Sequence, residues 1–203
     1  MRKILLTSTG LEHKAIIDRF LTMIPKETGE MRFLFIPTAS RTEEEKFYVR
    51  KSFDQLLGLG VKSDNVLWFD PEDISTHRDR TEIDCIYVCG GNPFFLLKKL
   101  KECGYFDRIL EWVNDGLLYI GVSAGSMIAA PDINYICWAE INDCGLEDTK
   151  GLSFITAGIL PHYTDDFAKA AVLLREKGFE VLGVSDSQAV AIQGDSIEKI
   201  GYM

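Results

Sequence analysis

The feature that most restricts this chain is an alternation between short apolar runs rich in β-formers and longer segments of helical period. Residues 32–37, Arg32-Phe33-Leu34-Phe35-Ile36-Pro37, show the first kind. Four consecutive apolar side chains in a strand must point to both faces of a sheet, so both faces must be covered. Residues 13–23 show the second kind, with Ile16, Ile17, Phe20 and Leu21 on one helical face. Strands that need covering on both sides, separated by helices that can cover them, imply an α/β fold. The expected form is a three-layer sandwich around a mostly parallel central sheet.

The same reading predicts strands at 4–7, 32–37, 66–69, 83–89, 117–122, 181–184, 189–193 and 197–202. Helices are expected at 13–23, 42–59, 93–101, 105–114, 123–130 and 165–177. Local chemistry marks several ends. Thr42 and Glu45 fit a capping box, and Gly58 or Gly60 can close that helix. Asn92-Pro93 combines a good N-cap with the residue favoured at the first helical position. Pro131 stops the helix that begins at Ser123, and Gly194-Asp195 joins the last two strands in a hairpin. Residues 132–153 show no clear period and read as loop with irregular strand. With 203 residues, 46% of them hydrophobic, a single domain spanning 1–203 with one substantial core is expected.

A net charge of -9 disfavours nucleic acid and anionic membrane surfaces, which would repel the average surface. The five cysteines, an odd number without metal-site spacing, suggest free thiols in a reducing cytoplasm. No metal or other cofactor is expected. The apolar stretch after Met1-Arg2-Lys3 is too short for a secretory signal, and no run approaches a membrane span of about 20 residues.

Chemistry concentrates at Gly121-Val122-Ser123-Ala124-Gly125, a G-x-S-x-G pattern where a buried strand turns into a helix. A serine there can sit on a strained turn with its hydroxyl exposed, at the positive end of the helix dipole. The Ala124 N–H is then free to donate to an oxyanion. The same glycines could instead serve a tight crossing, with Ser123 as a mere cap. A serine nucleophile needs a base. Of three histidines, His13 falls in a predicted helix and His77 in a polar segment read as a solvated loop. His162 follows the apolar Ile159-Leu160-Pro161 at the mouth of a helix, the best placing for catalysis. A carboxylate should orient the base. Asp186 lies just past a predicted strand, while Asp165 and Asp166 begin a helix whose dipole they complement; order along the chain does not choose among them. A second glycine turn, Gly90-Gly91-Asn92, suits a further oxyanion donor from Gly91. Gly90 and Asn92 beside it are candidates for substrate contact.

Taken in order and spacing, Gly90-Gly91-Asn92, Tyr119 to Gly125, Pro161-His162-Tyr163 and Gly183-Val184-Ser185-Asp186 resemble the serine peptidase family of aspartyl dipeptidase (dipeptidase E) and cyanophycinase. The resemblance covers nearly the whole chain and implies a fold like class I glutamine amidotransferases, with serine in place of cysteine. It implies Ser123 as nucleophile, His162 as general base, and Gly91 with Ala124 as oxyanion donors. Asp186, expected as the third member that orients His162, stands where the dipeptidase has a glutamate, one methylene longer. The dipeptidase also has an arginine for a substrate aspartate between its histidine and its acid; here that stretch is compact and its one arginine, Arg175, falls inside a helix. The expectation is a cytoplasmic serine-type peptidase of small peptides, monomer or homodimer. The alternatives are an esterase or amidase on a non-peptide substrate, or a non-catalytic small-peptide binding protein on the same fold.

Overall fold

The computed structural model describes residues 1–201. In chain order the elements are β1 (Lys3–Thr7), α1 (Lys14–Met23), β2 (Phe33–Ile36), α2 (Glu43–Gly58), β3 (Val66–Trp68), β4 (Cys85–Val88), α3 (Pro93–Glu102) and α4 (Tyr105–Asn114). They continue with β5 (Leu118–Val122), α5 (Ala124–Met127), β6 (Gly158–Pro161), α6 (Asp165–Glu176), β7 (Val181–Val184), β8 (Ala189–Gln193) and β9 (Ser196–Ile200). Seven strands form the main sheet in the order β3-β2-β4-β5-β1-β8-β9. β3, β2, β4, β5 and β1 run parallel, and β8 and β9 close that edge as an antiparallel pair.

Strand side chains alternate between two cores, which is why the central strands are apolar throughout. Ile4, Leu6, Leu34, Ile36, Ile86 and Val88 point to the face covered by α3, α4 and α5. Leu5, Phe33, Phe35, Cys85, Tyr87 and Ile120 point to the other, covered by α1 and α2. The three expected layers follow directly from this alternation.

Helix ends follow their local chemistry. Thr42 Oγ1 accepts the Glu45 N–H while the Glu45 carboxylate accepts the Thr42 N–H, completing the capping box. Asn92 Oδ1 accepts the Phe95 N–H at the start of α3. Gly194, with φ 62°, makes the two-residue turn between β8 and β9. Tyr202, expected at the end of the last strand, lies outside the described residues.

Two elements differ from expectation. The helix expected over 123–130 is the single turn α5, because residues 128–130 give their carbonyls to a returning segment: Leu152 donates to Ile128, Ser153 to Ala130 and Phe154 to Ala129. Residues 158–161, in the segment before His162, form β6, which pairs parallel with β7 in a two-stranded sheet separate from the main one. Its register aligns Pro161 with Val184, so the residues just past the two strands emerge side by side.

The junction of β1, β5 and α5 is the tightest in the fold. A Cβ on Gly121 would lie 2.6 Å from the carbonyl of Gly125, and one on Gly125 would strike the Val88 carbonyl. Buried Ser126 completes the junction: its Oγ accepts the Thr7 N–H at 2.9 Å and lies 2.8 Å from the carbonyl oxygens of both Thr7 and Gly121. Replacing Ser126 with alanine strands the Thr7 N–H away from water, which costs about 1–3 kcal/mol. The urea midpoint of Ser126→Ala is expected to fall accordingly; an unchanged midpoint would show that the junction does not depend on this hydroxyl.

Candidate active site

Ser123 directly follows β5 with φ 48° and ψ -106°, a conformation rare for a residue with a side chain. Its N–H donates to Thr7 O at 3.0 Å, and its own carbonyl accepts from Ser126 and Met127, so the turn is held on both sides. The strain lifts the hydroxyl out of the β5–α5 packing and into a crevice of about 540 Å³.

His162 and Asp186 reach the same crevice from the β6–β7 pair. His162 directly follows Pro161, and Asp186 stands two residues beyond Val184, its partner in the register. His162 Nδ1 lies 2.7 Å from Asp186 Oδ1, and Nε2 lies 3.2 Å from Ser123 Oγ. With Nδ1–H donating to the carboxylate, Nε2 is left as the acceptor for the serine proton. The structure therefore joins Ser123, His162 and Asp186 in one chain of contacts. Asp165 and Asp166 instead occupy the first turn of α6, where they complement its dipole.

His162 also has a positive φ, 54°. Its N–H donates to Ser8 Oγ at 3.1 Å, and Ser8 Oγ donates to Val184 O at 2.7 Å. Thr9 Oγ1 donates to Asp186 O at 3.0 Å. The loop after β1 thus docks the small sheet onto the large one. Sequence reasoning missed Ser8 and Thr9; their only signal is their place directly after β1.

Gly91 has φ 126°, and a Cβ there would collide with the Ala39 carbonyl, so this backbone can pass the Pro37–Ser40 turn only as glycine. Gly90 faces Ser123: a Cβ there would lie 3.2 Å from Ser123 Cβ. Both glycines line the crevice. Asn92 has another occupation. Its side chain caps α3 and its Nδ2 donates to Ile141 O at 2.9 Å, so both its polar atoms are engaged by the protein in place of the expected substrate contact. With α5 only one turn long, the expected dipole contribution at Ser123 reduces to the N–H groups at its start, that of Ala124 first.

The other histidines stand apart from this chain. His13 precedes α1 in extended conformation and lines the rim of the crevice. His77 is not solvated as expected: its ring packs 5.1 Å from Phe69 and 4.8 Å from Tyr105, and its Nε2 is buried without a partner. Phe69 and Tyr105, distant in sequence, make an aromatic slot that no local pattern announces. Cys89, beside Gly90, is buried, and burial pushes its thiol well above the usual range, which keeps it in the inert thiol form.

The family model for Peptidase family S51 matches residues 4–200. The chain belongs to peptidase family S51. It is 35% identical to an uncharacterized peptidase of Pasteurella multocida over 181 residues, 84% of this chain and 82% of the relative. It is 32% identical to Peptidase E of Escherichia coli over 169 residues, 81% of this chain and 70% of the relative. A crystal structure of a peptidase E-like protein from Listeria monocytogenes superposes with a TM-score of 0.82 at 30% identity, covering 100% of both chains. This S51 chain is accordingly a peptidase, a hydrolase.

Around the triad geometry the S51 crevice carries charges from elements that the sequence did not connect to it. Glu12 and Lys51 form an ion pair of 2.8 Å on its wall, and Glu45 and Tyr48 of α2 complete that side. Glu140, half-buried nearby, has its carboxyl pushed above the usual range, first by burial, then by Glu45, with His162 acting in the opposite sense. Arg175 does not line the crevice; its guanidinium donates to Val181 O at 3.1 Å and ties α6 to β7.

Ser8 should matter to rate more than to binding. Ser8→Ala removes the hydroxyl that holds His162 in its strained conformation, and misplacement of a base by about 1 Å can cost roughly 100-fold. A marked fall in kcat with KM little changed is expected in steady-state peptide hydrolysis; a wild-type kcat would show that His162 is held without Ser8.

Proposed function

We propose that this S51 peptidase cleaves small peptides by acyl transfer through Ser123, His162 and Asp186. The observation that carries the reading is the contact chain from Ser123 Oγ through His162 to Asp186, set on a strained serine at the mouth of a crevice. Ser123 Oγ attacks the scissile carbonyl as His162 Nε2 takes its proton. The carbonyl oxygen becomes an oxyanion held by the N–H groups of Gly91 and Ala124. One such donor contributes about 3 kcal/mol to the transition state. The tetrahedral intermediate collapses, the C–N bond breaks, and the leaving amine takes the proton from His162. Water then attacks the acyl-serine with the same base and regenerates Ser123. Asp186 holds the tautomer and stabilises the imidazolium throughout.

Aspartate at the equivalent of the dipeptidase glutamate serves here because the backbone brings His162 near enough. The 2.7 Å contact needs no further methylene, since parallel pairing of β6 and β7 sets the two residues side by side. The volume of the crevice, about 540 Å³, suits a short peptide.

On this reading the side-chain preference differs from that of an aspartyl dipeptidase. Among the described residues no arginine lines the crevice, the Lys51 ammonium is neutralised by Glu12, and Glu45 adds negative charge. Among the described residues a substrate carboxylate would meet no unpaired lysine or arginine there, so neutral side chains are favoured.

Two measurements test the proposal. A digest of a mixed dipeptide library by wild type and Ser123→Ala, followed by mass spectrometry, should show cleavage by wild type alone; activity in the folded variant would remove Ser123 from the mechanism. Glu12→Gln leaves the Lys51 ammonium unpaired. It should raise kcat/KM for aspartyl dipeptides a few-fold over alanyl ones, the scale of an exposed ion pair of about 0–1 kcal/mol. An unchanged ratio would show that Lys51 does not face the substrate side chain.

A further inference from the structure

The main sheet has two places where neighbouring parallel strands send their helices to opposite faces. β5 leads into α5 on one face and its neighbour β1 leads to α1 on the other; the catalytic crevice opens there. β2 leads into α2 and its neighbour β4 leads into α3, again on opposite faces. Such divergence leaves a crevice beyond the carboxyl ends of the strands, the usual ligand position in open α/β sheets. At the second divergence there is indeed a cavity of about 590 Å³, as large as the first, between α2, α3 and the end of β3. The peptidase reading makes no use of it.

Its walls are specific in character. Trp68, 43% exposed, presents its indole, with its inner side packed on Phe35 at 4.7 Å and Phe53 at 5.5 Å. Phe95 lines it from α3, its ring carrying the Arg41 guanidinium at 4.8 Å and the Lys99 ammonium at 5.7 Å, and Lys46, Arg50 and Lys99 surround the opening. Lys46 pairs with Glu43 and Lys99 with Glu72, each at 2.8 Å. Arg50 makes no hydrogen bond or close ion pair among the described residues; its electrostatic neighbour is Glu43, whose carboxylate Lys46 already holds, so the donors of its guanidinium stay open. Asp70 and Glu72 line the same crevice, Glu72 held by Lys99 and Asp70 Oδ1 accepting the Glu72 N–H, so the three cations stand against two carboxylates that both have partners. Thr38, on the floor, has its Oγ1 buried without a hydrogen-bond partner.

We propose that this crevice is a second ligand site, for a small aromatic carboxylate. The ring lies against Trp68 and Phe95, and the carboxylate takes paired hydrogen bonds from the Arg50 guanidinium, whose planar fork matches it. The site shares its floor with the active site. Ser40 Oγ donates to Gly90 O at 2.7 Å, and the Asn92 N–H donates to Ala39 O at 2.9 Å, so the turn that floors the second crevice also seats the Gly90-Gly91 backbone. Occupancy of one site is therefore positioned to bear on the other.

The test is a titration of the intact protein with 3-phenylpropionate, which has no scissile bond, followed by NMR at the indole N–H groups and backbone amides. Saturable shifts at Trp68 and Thr38 are expected, with a Kd of about 1 mM for so small a ligand. Arg50→Ala should weaken binding about tenfold, and the neutral amide of the same acid should bind about tenfold more weakly than the acid. Peptide hydrolysis without the ligand should be unchanged in Arg50→Ala, since Arg50 lies outside the triad crevice. Absence of shifts at Trp68, equal binding of acid and amide, or undiminished binding by Arg50→Ala would each overturn the assignment. Shifts confined to Gly91 and Ser123 would place the acid in the catalytic crevice and overturn it equally. None of the binding outcomes that overturn the assignment depends on catalysis, so failure here and failure of the peptidase mechanism are read separately.

Discussion

The Ser126 hydroxyl, shared between the ends of β1 and β5, is the contact on which the site is built. It satisfies the Thr7 N–H and meets the carbonyls of Thr7 and Gly121 at the point where the chain turns from β5 into α5. That turn carries Ser123 at φ 48°, and Ser123 in turn donates to the same Thr7 carbonyl. A strained residue persists only where its neighbours over-determine it. Here the neighbours are a buried hydroxyl and two glycines that admit no side chain. The loop just beyond Thr7 then reaches the small sheet through Ser8 and Thr9, and so orders His162 and Asp186.

The division of labour between the two sheets has a physical logic. The large sheet has both faces covered, and it presents Ser123 from its centre. His162 and Asp186 come instead from one parallel pair, β6 and β7, whose register places their exits together although the two residues are far apart in sequence. Parallel pairing needs a crossover, and α6 is that crossover. Arg175 sits on it to bind the β7 backbone, a structural use of the one arginine that the segment contains.

Much of this was legible along the chain. The apolar continuity of residues 33–36 announced a doubly covered sheet because side chains in a strand alternate faces. The Thr42–Glu45 box and Asn92-Pro93 announced helix starts because capping is local chemistry. Ser123 stood out because glycines at both sides of a serine, between strand and helix, match an elbow. His162 stood out because it is polar, follows an apolar run and precedes a helix. The aromatic slot around His77, the double engagement of Asn92 and the shortness of α5 were not legible. Each depends on a segment remote in sequence, respectively Tyr105, Ile141 and residues 152–154.

The sequence alone determined the layered α/β architecture, the glycine-flanked serine and the set of residues able to act with it, because periodicity, capping and steric demands are properties of short stretches. Periodicity and spacing left Asp186, Asp165 and Asp166 open and only the resemblance singled out Asp186; the tertiary structure sets it beside His162 through the register between β6 and β7. It alone also brought Glu12, Glu45 and Lys51 to the rim and set Arg50 beside Trp68 in a second crevice. Side chains from separate helices and loops become neighbours only when the strands beneath them are ordered in space, and strand order leaves no mark in a local pattern.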